Sequence, residues 1–155
     1  MKIEEFQKIK GRPLITIGPD ETVQAAIRKL DENKIGSLPV CDAAGALLGI
    51  VTERDLLKRF TQSGLATGGS RVKDVMTKEV VIGIPEDDIN YVMEVMIQKG
   101  IRHLPVMVGL KVRGMISARD IIEHQLEESR AKVRYLNDYL SLVTAIMQSE
   151  AVDNK

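Results

Sequence analysis

Apolar and polar positions alternate along the chain in an order that is used twice. Val23, Ala26, Ile27 and Leu30 fall at i, i+3, i+4 and i+7, the single stripe of an amphipathic helix, and Ile89, Val92, Met93 and Met96 repeat that spacing. A short apolar run precedes each stripe. "LITI" and "VVIGI" read as β runs that end at Pro19 and Pro85, with acidic residues following, as suits the start of a helix. After the first stripe come "SLPVC" and "ALLGIVT", split by the turn residues Asp42 and Gly45. After the second come "HLPVMV" and "KVRGMIS", split at Gly109. Both pairs predict β-hairpins, and beyond Thr52 and Ser117 the helical period returns. The predicted order is strand, helix, strand, strand, helix, twice over.

The two copies superpose residue by residue. Pro19, Leu38, Pro39 and Val40 reappear sixty-six positions on as Pro85, Leu104, Pro105 and Val106. The offset then falls to sixty-five, because "CDAAGALL" is one residue longer than "MVGLKVR", so "GIVTERDLL" from Gly49 returns as "GMISARDII" from Gly114. A hairpin tip tolerates such a length change. A half of about 60 residues has too little interior to stand alone, so the halves are expected to pack sheet to sheet as a pseudo-symmetric α+β pair. The expected boundaries are 6–62 for the first repeat, 63–71 for a linker inside the Gly-, Ser- and Thr-rich "TQSGLATGGSR", and 72–127 for the second.

The C-terminal stretch follows a different period. Ile122, Leu126, Ser129, Val133, Leu136, Leu140, Val143 and Met147 step alternately by four and three, a heptad seam that Ser129 interrupts. This predicts a long helical extension over 120–150 that zips to a twin or folds back on the core.

Composition narrows the function classes. Twenty-two basic residues balance twenty-two acidic ones, so net charge suggests neither nucleic acid nor an anionic membrane as partner. Apolar residues make up 44 % and aromatics 3 %, which implies a core of aliphatic side chains and Met. Cys41 is the only cysteine; it can form no intramolecular disulfide and reads as a small core residue. The first residues carry no apolar signal segment and no apolar run approaches a membrane span, so a cytoplasmic protein is expected. "GLATGGSR" lacks the closing Lys-Ser/Thr of a phosphate loop, and His103 and His124 have no companions at metal-ligand spacing. No nucleophile, base and orienting acid can be assembled, and an enzyme is not expected.

The repeated hydroxyl-x-x-carboxylate motif, Thr52 with Asp55 and Ser117 with Asp120, supports two readings. At a strand-to-helix junction it is close to a capping box. The same junction exposes unpaired N–H groups and a helix dipole that favour an anion, so the hydroxyl can also face a phosphate. The two uses are compatible for the hydroxyl and compete for the carboxylate.

Taken together, "ITIGPDETVQAAIRKLDENKIGSLPV" with "GIVTERDLL", and "VKDVMT", "IPEDDINYVMEVMIQKGIRHLPV" with "GMISARDII", resemble a tandem pair of CBS domains, named for cystathionine β-synthase, over about residues 6 to 127. The resemblance implies two β-α-β-β-α repeats forming a stand-alone regulatory module, not a catalyst. It implies an adenine nucleotide or relative (AMP, ADP, ATP, NAD or an S-adenosyl compound) bound in clefts between the repeats, with no catalytic cofactor. It also implies a flat homodimer acting on some further, unidentified protein. Carried onto this chain, Asp55 and Asp120 would accept from ribose hydroxyls, with Arg54 and Arg119 directed at phosphate beside Thr52 and Ser117. Arg102 and His103, before "LPV", would hold phosphate, and Thr16 would contact adenosine. The first repeat has Gly36 and Ser37 where the second has Arg102 and His103, and Ile82 stands opposite Thr16, so the clefts are expected to be unequal, with that of Asp120 the stronger. The rival reading is a ligand-free scaffold that dimerises or recruits a partner through the C-terminal helix.

Overall fold

The structure is a computed structural model that describes residues 1–63 and 69–153; of the expected linker, residues 64–68 lie outside the described residues. The chain divides into two compact units, Met1–Ala118 and Arg119–Lys155. In the first, α1 (Ile3–Lys10) precedes one repeat made of α2 (Val23–Asn33), β1 (Ser37–Cys41), β2 (Leu47–Thr52) and α3 (Glu53–Ser63). The short α4 (Val72–Val75) precedes the other, made of α5 (Ile89–Lys99), β3 (His103–Val108) and β4 (Lys111–Ser117). The final helix, α6 (Ala118–Asp153), makes up the second unit apart from its first residue.

Corresponding helices begin and end alike. Thr22 Oγ1 accepts from the Ala25 N–H at 3.0 Å, and the Asp88 carboxylate accepts from the Asn90 N–H at 2.8 Å; each is the N-cap of its helix. Pro19 and Pro85 therefore lead into the helices without starting them. Both helices close on a left-handed residue, Gly100 at φ 64° and Lys34 at φ 52°. Glycine accepts that conformation freely, whereas a lysine Cβ does not. Between the caps, Val23, Ala26 and Leu30 are buried against Leu38, Val40, Val51, Leu56 and Val72. Their counterparts Ile89, Val92 and Met96 are buried as well.

The hairpins form two antiparallel sheets of two strands, β1 with β2 and β3 with β4. Ser37 pairs with Thr52 and His103 with Ser117 at the open ends, and both ladders bulge one residue after a Val, at Val40/Cys41 and Val106/Met107. At the first tip the Asp42 carboxylate accepts from the Ala44 and Ala46 N–H groups, each at 2.9 Å, and Gly45 turns at φ 83°. The hairpins meet at their tips, where Ala46 bridges Lys111 and Cys41 packs with Met107 and Val112.

The runs expected as leading strands are shorter than a strand. Ile17 makes one parallel bridge with Val40, and Gly83 one with Val106. In the first, the Ile17 N–H donates to Pro39 O at 3.1 Å and the Cys41 N–H to Ile17 O at 2.9 Å. The next rung would need an N–H from Pro19, which has none, and Pro85 stops its copy in the same way.

The repeats also exchange their leading segments. Val72 N–H donates to Glu21 O, Lys73 N–H to Pro19 O and Val23 N–H to Ser70 O, each at 2.9 to 3.0 Å. Ile3 N–H to Asp87 O, Glu4 N–H to Pro85 O and Ile89 N–H to Met1 O form the same set on the second repeat, again at 2.9 to 3.0 Å. The residues before each repeat thus dock on the other one. This explains Gly49 and Gly114. A Cβ on Gly49 would lie 2.7 Å from Thr77 O and 2.8 Å from Met76 Sδ, and one on Gly114 would collide with the side-chain amide of Gln7. A glycine lets the exchanged segment lie directly on the strand.

The second unit holds all but the first residue of α6, a helix of 36 residues, about 54 Å long at 1.5 Å per residue. In its first turns Asp120, Ile121 and His124 are buried. Among the described residues no helix is long and apolar enough to cross a membrane.

Candidate functional site

Thr52, Arg54 and Asp55, and likewise Ser117, Arg119 and Asp120, lie where a strand hands over to a helix. In the first repeat Thr52 ends β2 and Asp55 lies in the first turn of α3. Thr52 N–H donates to Asp55 Oδ2 at 2.8 Å, and Thr52 Oγ1 donates to the same oxygen at 2.9 Å. The Asp55 N–H lies 3.3 Å from Thr52 Oγ1, its acceptor. This is the reciprocal capping box. The other oxygen, Asp55 Oδ1, accepts from Thr77 Oγ1 at 2.9 Å. Both oxygens are therefore engaged by the protein, one by its own helix start and one by the segment exchanged from the second repeat. In this half the carboxylate closes the start of its own helix and holds the exchanged segment. Thr77 was not foreseen, because only the exchange brings residue 77 to residue 55.

Arg54 follows suit. Its guanidinium is exposed and reaches the carbonyl of Gly100, the left-handed residue closing α5, at 3.4 Å. A cation at a helix C-terminus is favoured by the dipole there, so this arginine serves the opposite repeat.

At the open end of the second hairpin the half-buried His103 and Ser117 face each other across the ladder. The His103 imidazole lies over the first repeat. A Cβ placed on Gly36 would stand 3.0 Å from both Cε1 and Nε2 of the ring, and 3.6 Å from Glu53 Oε2. Gly36, the counterpart of Arg102, thus makes room for the ring. The asymmetry read in the sequence has a steric purpose. Arg102 uses its carbonyl to accept from the Ala118 N–H at 2.9 Å, as Gly36 does for Glu53 at 3.1 Å, and the residue is exposed.

Thr16 borders a cavity of about 560 Å³ whose polar lining is Glu21, Lys29 and Asp42. Lys29 Nζ donates to Thr16 O at 3.0 Å and lies 3.5 Å from Glu21 Oε1, while Glu21 Oε2 accepts from the Gly18 N–H at 2.6 Å. Neither Lys29 nor Glu21 belonged to the expected set. Lys29 sits beside the apolar stripe of α2 and Glu21 just before that helix, where a polar residue facing a cavity looks the same in sequence as one facing water. Cys41, on the same wall, is buried, and burial followed by the neighbouring Asp42 charge pushes its thiol up from the ordinary cysteine value.

In the second unit Asp120 is 8 % exposed. Arg119, one residue earlier, points to solvent and pairs with Glu123 at 2.8 Å, one helical turn on. That hydrogen bond and charge raise the Arg119 pKa further above its already high value. His124, also buried, has its Nε2 4.0 Å from Glu128 Oε1.

Two repeats, each with a bulged hairpin, a capped helix and an exchanged leader, match the family model described as the CBS domain at residues 7–61 and 72–127. The chain belongs to the CBS domain family. It is 32 % identical over 146 residues to the mitochondrial CBS domain-containing protein CBSX3 of Arabidopsis thaliana, covering 89 % of this chain and 71 % of that one. A solved CBS-domain protein from Agrobacterium tumefaciens superposes with a TM-score of 0.77 at 35 % identity, over 81 % of this chain and 99 % of its own. Two more distant CBS structures share the fold. The CBS domain pair of protein MJ0100, solved with methylthioadenosine and S-adenosyl-L-methionine, has a TM-score of 0.74 at 22 % identity, covering 83 % of this chain and 98 % of that one. CBSX2, solved with AMP, has a TM-score of 0.67 at 23 % identity over the same shares of each chain.

Proposed function

We propose that this CBS pair is a regulatory sensor for an adenosyl-containing small molecule, and that its second-repeat motif carries the site. The observation behind this reading is the placement of His103 over Gly36. It puts an imidazole from the second repeat at the mouth of the first hairpin, where Ser37 begins β1 and Thr52 ends β2. The ligands of MJ0100 and CBSX2 support an adenosine core. AMP, ADP, ATP, NAD and S-adenosylmethionine are the compounds to test.

In this reading Asp120 holds the ribose hydroxyls, Ser117 and His103 face phosphate with Arg102 and Arg119 adding positive charge, and Thr16 contacts the base side. The Asp55 motif is the weaker site, because its repeat offers Gly36 and Ser37 where the second offers Arg102 and His103. The chain acts without catalysis of its own. It works as a cytoplasmic homodimer through its CBS helices, passing the bound state to another protein. The scaffold reading draws on one observation, the exposed heptad stripe of α6, where Val133, Leu136 and Leu140 are all more than half exposed.

The test is mass spectrometry of small molecules released from purified protein, then calorimetric titration of wild type and Asp120→Ala. Each charge-assisted hydrogen bond to ribose is worth about 1.5–3 kcal/mol, so losing two lowers affinity at least about tenfold. An Asp120→Ala protein that binds normally removes the assignment of the site. Silence from all five compounds in wild type leaves the scaffold reading in possession.

A further inference from the structure

The far half of α6 bears more apolar surface than a two-stranded seam uses. Val133, Leu140 and Met147 occupy one seam position and Leu136 and Val143 the other. Tyr139 and Ile146 flank that seam on one side, with Tyr135 and Leu142 beyond them, so apolar side chains cover about 180° of the circumference at ~100° per residue. From Tyr135 to Ser149 the only charge is Asp138, on the opposite face. Two-stranded coils confine apolar residues to the seam, whereas helices facing the core of a bundle add a flank. Except for Val143, which is partly buried, every one of these side chains is at least half exposed. Together they present on the order of 1,000 Å² of apolar surface, more than the ~800 Å² that each partner brings to a standard stable interface.

Charge identifies what covers it. Arg130, Lys132 and Arg134 precede the apolar stretch and Glu150 follows it at a seam position. Helices of this sequence laid parallel set the three cations beside one another and Glu150 against Glu150. Laid antiparallel, with Leu136 over Met147 and Leu140 over Val143, Glu150 meets Val133 between Arg130 and Arg134. The face complements a reversed copy of itself.

We propose that the α6 helices of four copies of this chain form an antiparallel four-helix bundle over residues 133–150, joining two CBS dimers into a tetramer. It builds on the homodimer reading but not on any ligand. Sedimentation equilibrium of the full chain at micromolar concentration reads a tetramer for wild type. Leu140→Glu, a change on an exposed helix face, reads a dimer, with helical circular dichroism retained. Orientation is read by mixing Leu136→Cys and Met147→Cys proteins, each also carrying Cys41→Ala, under mild oxidation. The expected product is the mixed disulfide. A wild-type dimer or monomer, a Leu140→Glu tetramer, or a predominance of like-with-like disulfides overturns the bundle. A wild-type dimer that does bind nucleotide removes this proposal while leaving the sensor standing.

Discussion

Replacing Asp55 with Ala separates the two uses of the repeated motif. In the first repeat the carboxylate accepts from the Thr52 N–H at 2.8 Å, from Thr52 Oγ1 at 2.9 Å and from Thr77 Oγ1 at 2.9 Å. The first two close the capping box of α3, and loss of a cap typically costs about 1 kcal/mol. The third ties the exchanged segment of the second repeat to the first. Thr77 is exposed, so this bond sits at the lower end of the usual net range, about 0.5–1.5 kcal/mol. The expected loss is about 2 kcal/mol. At roughly 2–4 °C per kcal/mol for a chain of this size, the melting temperature falls by roughly 4–8 °C. Thr77→Val alone should cost about 1 kcal/mol at most, and the double variant less than the sum, because the two changes remove one shared bond. Thermal and urea unfolding give the stabilities, and titration with the nucleotide that wild type binds gives the affinities. Affinity should stay within about threefold of wild type. An Asp55→Ala protein that melts like wild type but loses ten times its affinity refutes the assignment of this carboxylate to structure.

Three further outcomes follow from the packing and the backbone. Gly49→Ala places a methyl 2.7 Å from a backbone carbonyl and should cost about 1–3 kcal/mol in urea unfolding, as overpacking does. Gly114→Ala meets only the end of the Gln7 side chain, which can swing away, and should cost less; equal losses would contradict the account of the exchanged segments. Lys34→Gly removes the Cβ from the left-handed position closing α2 and should stabilise the protein by about 0.5–1 kcal/mol, because relief of ~1–2 kcal/mol outweighs the added entropy of glycine. A destabilised variant would mean that the lysine side chain contributes there. The Cys41 thiol, buried and with its pKa raised, should react with a thiol reagent at pH 8 far more slowly than free cysteine, and speed up on unfolding; free-thiol rates in the folded protein would contradict its placement.

What was legible from sequence was whatever a short window encodes. The stripes of α2 and α5, the two hairpins and the sixty-six-residue offset follow from periodicity and turn chemistry, which each segment carries within itself. The unequal pair Gly36–Ser37 and Arg102–His103 was visible too, though not its reason, since only the fold lays the His103 ring over Gly36. The leading β runs shrank to single bridges because Pro19 and Pro85 offer no N–H to the next rung. The fate of Asp55 was undetermined by its motif. A hydroxyl-x-x-carboxylate motif permits both capping and binding, and it does not show the contact with Thr77, twenty-two residues away in sequence and brought close by the exchange of leading segments. That exchange is a long-range event. Backbone hydrogen bonds join Met1, Ile3 and Glu4 to residues 85–89, and no local pattern states which of two similar repeats a leader will choose. Sequence determined the elements; tertiary structure decided which polar groups were already engaged, because occupancy depends on neighbours in space and periodicity records only neighbours in the chain.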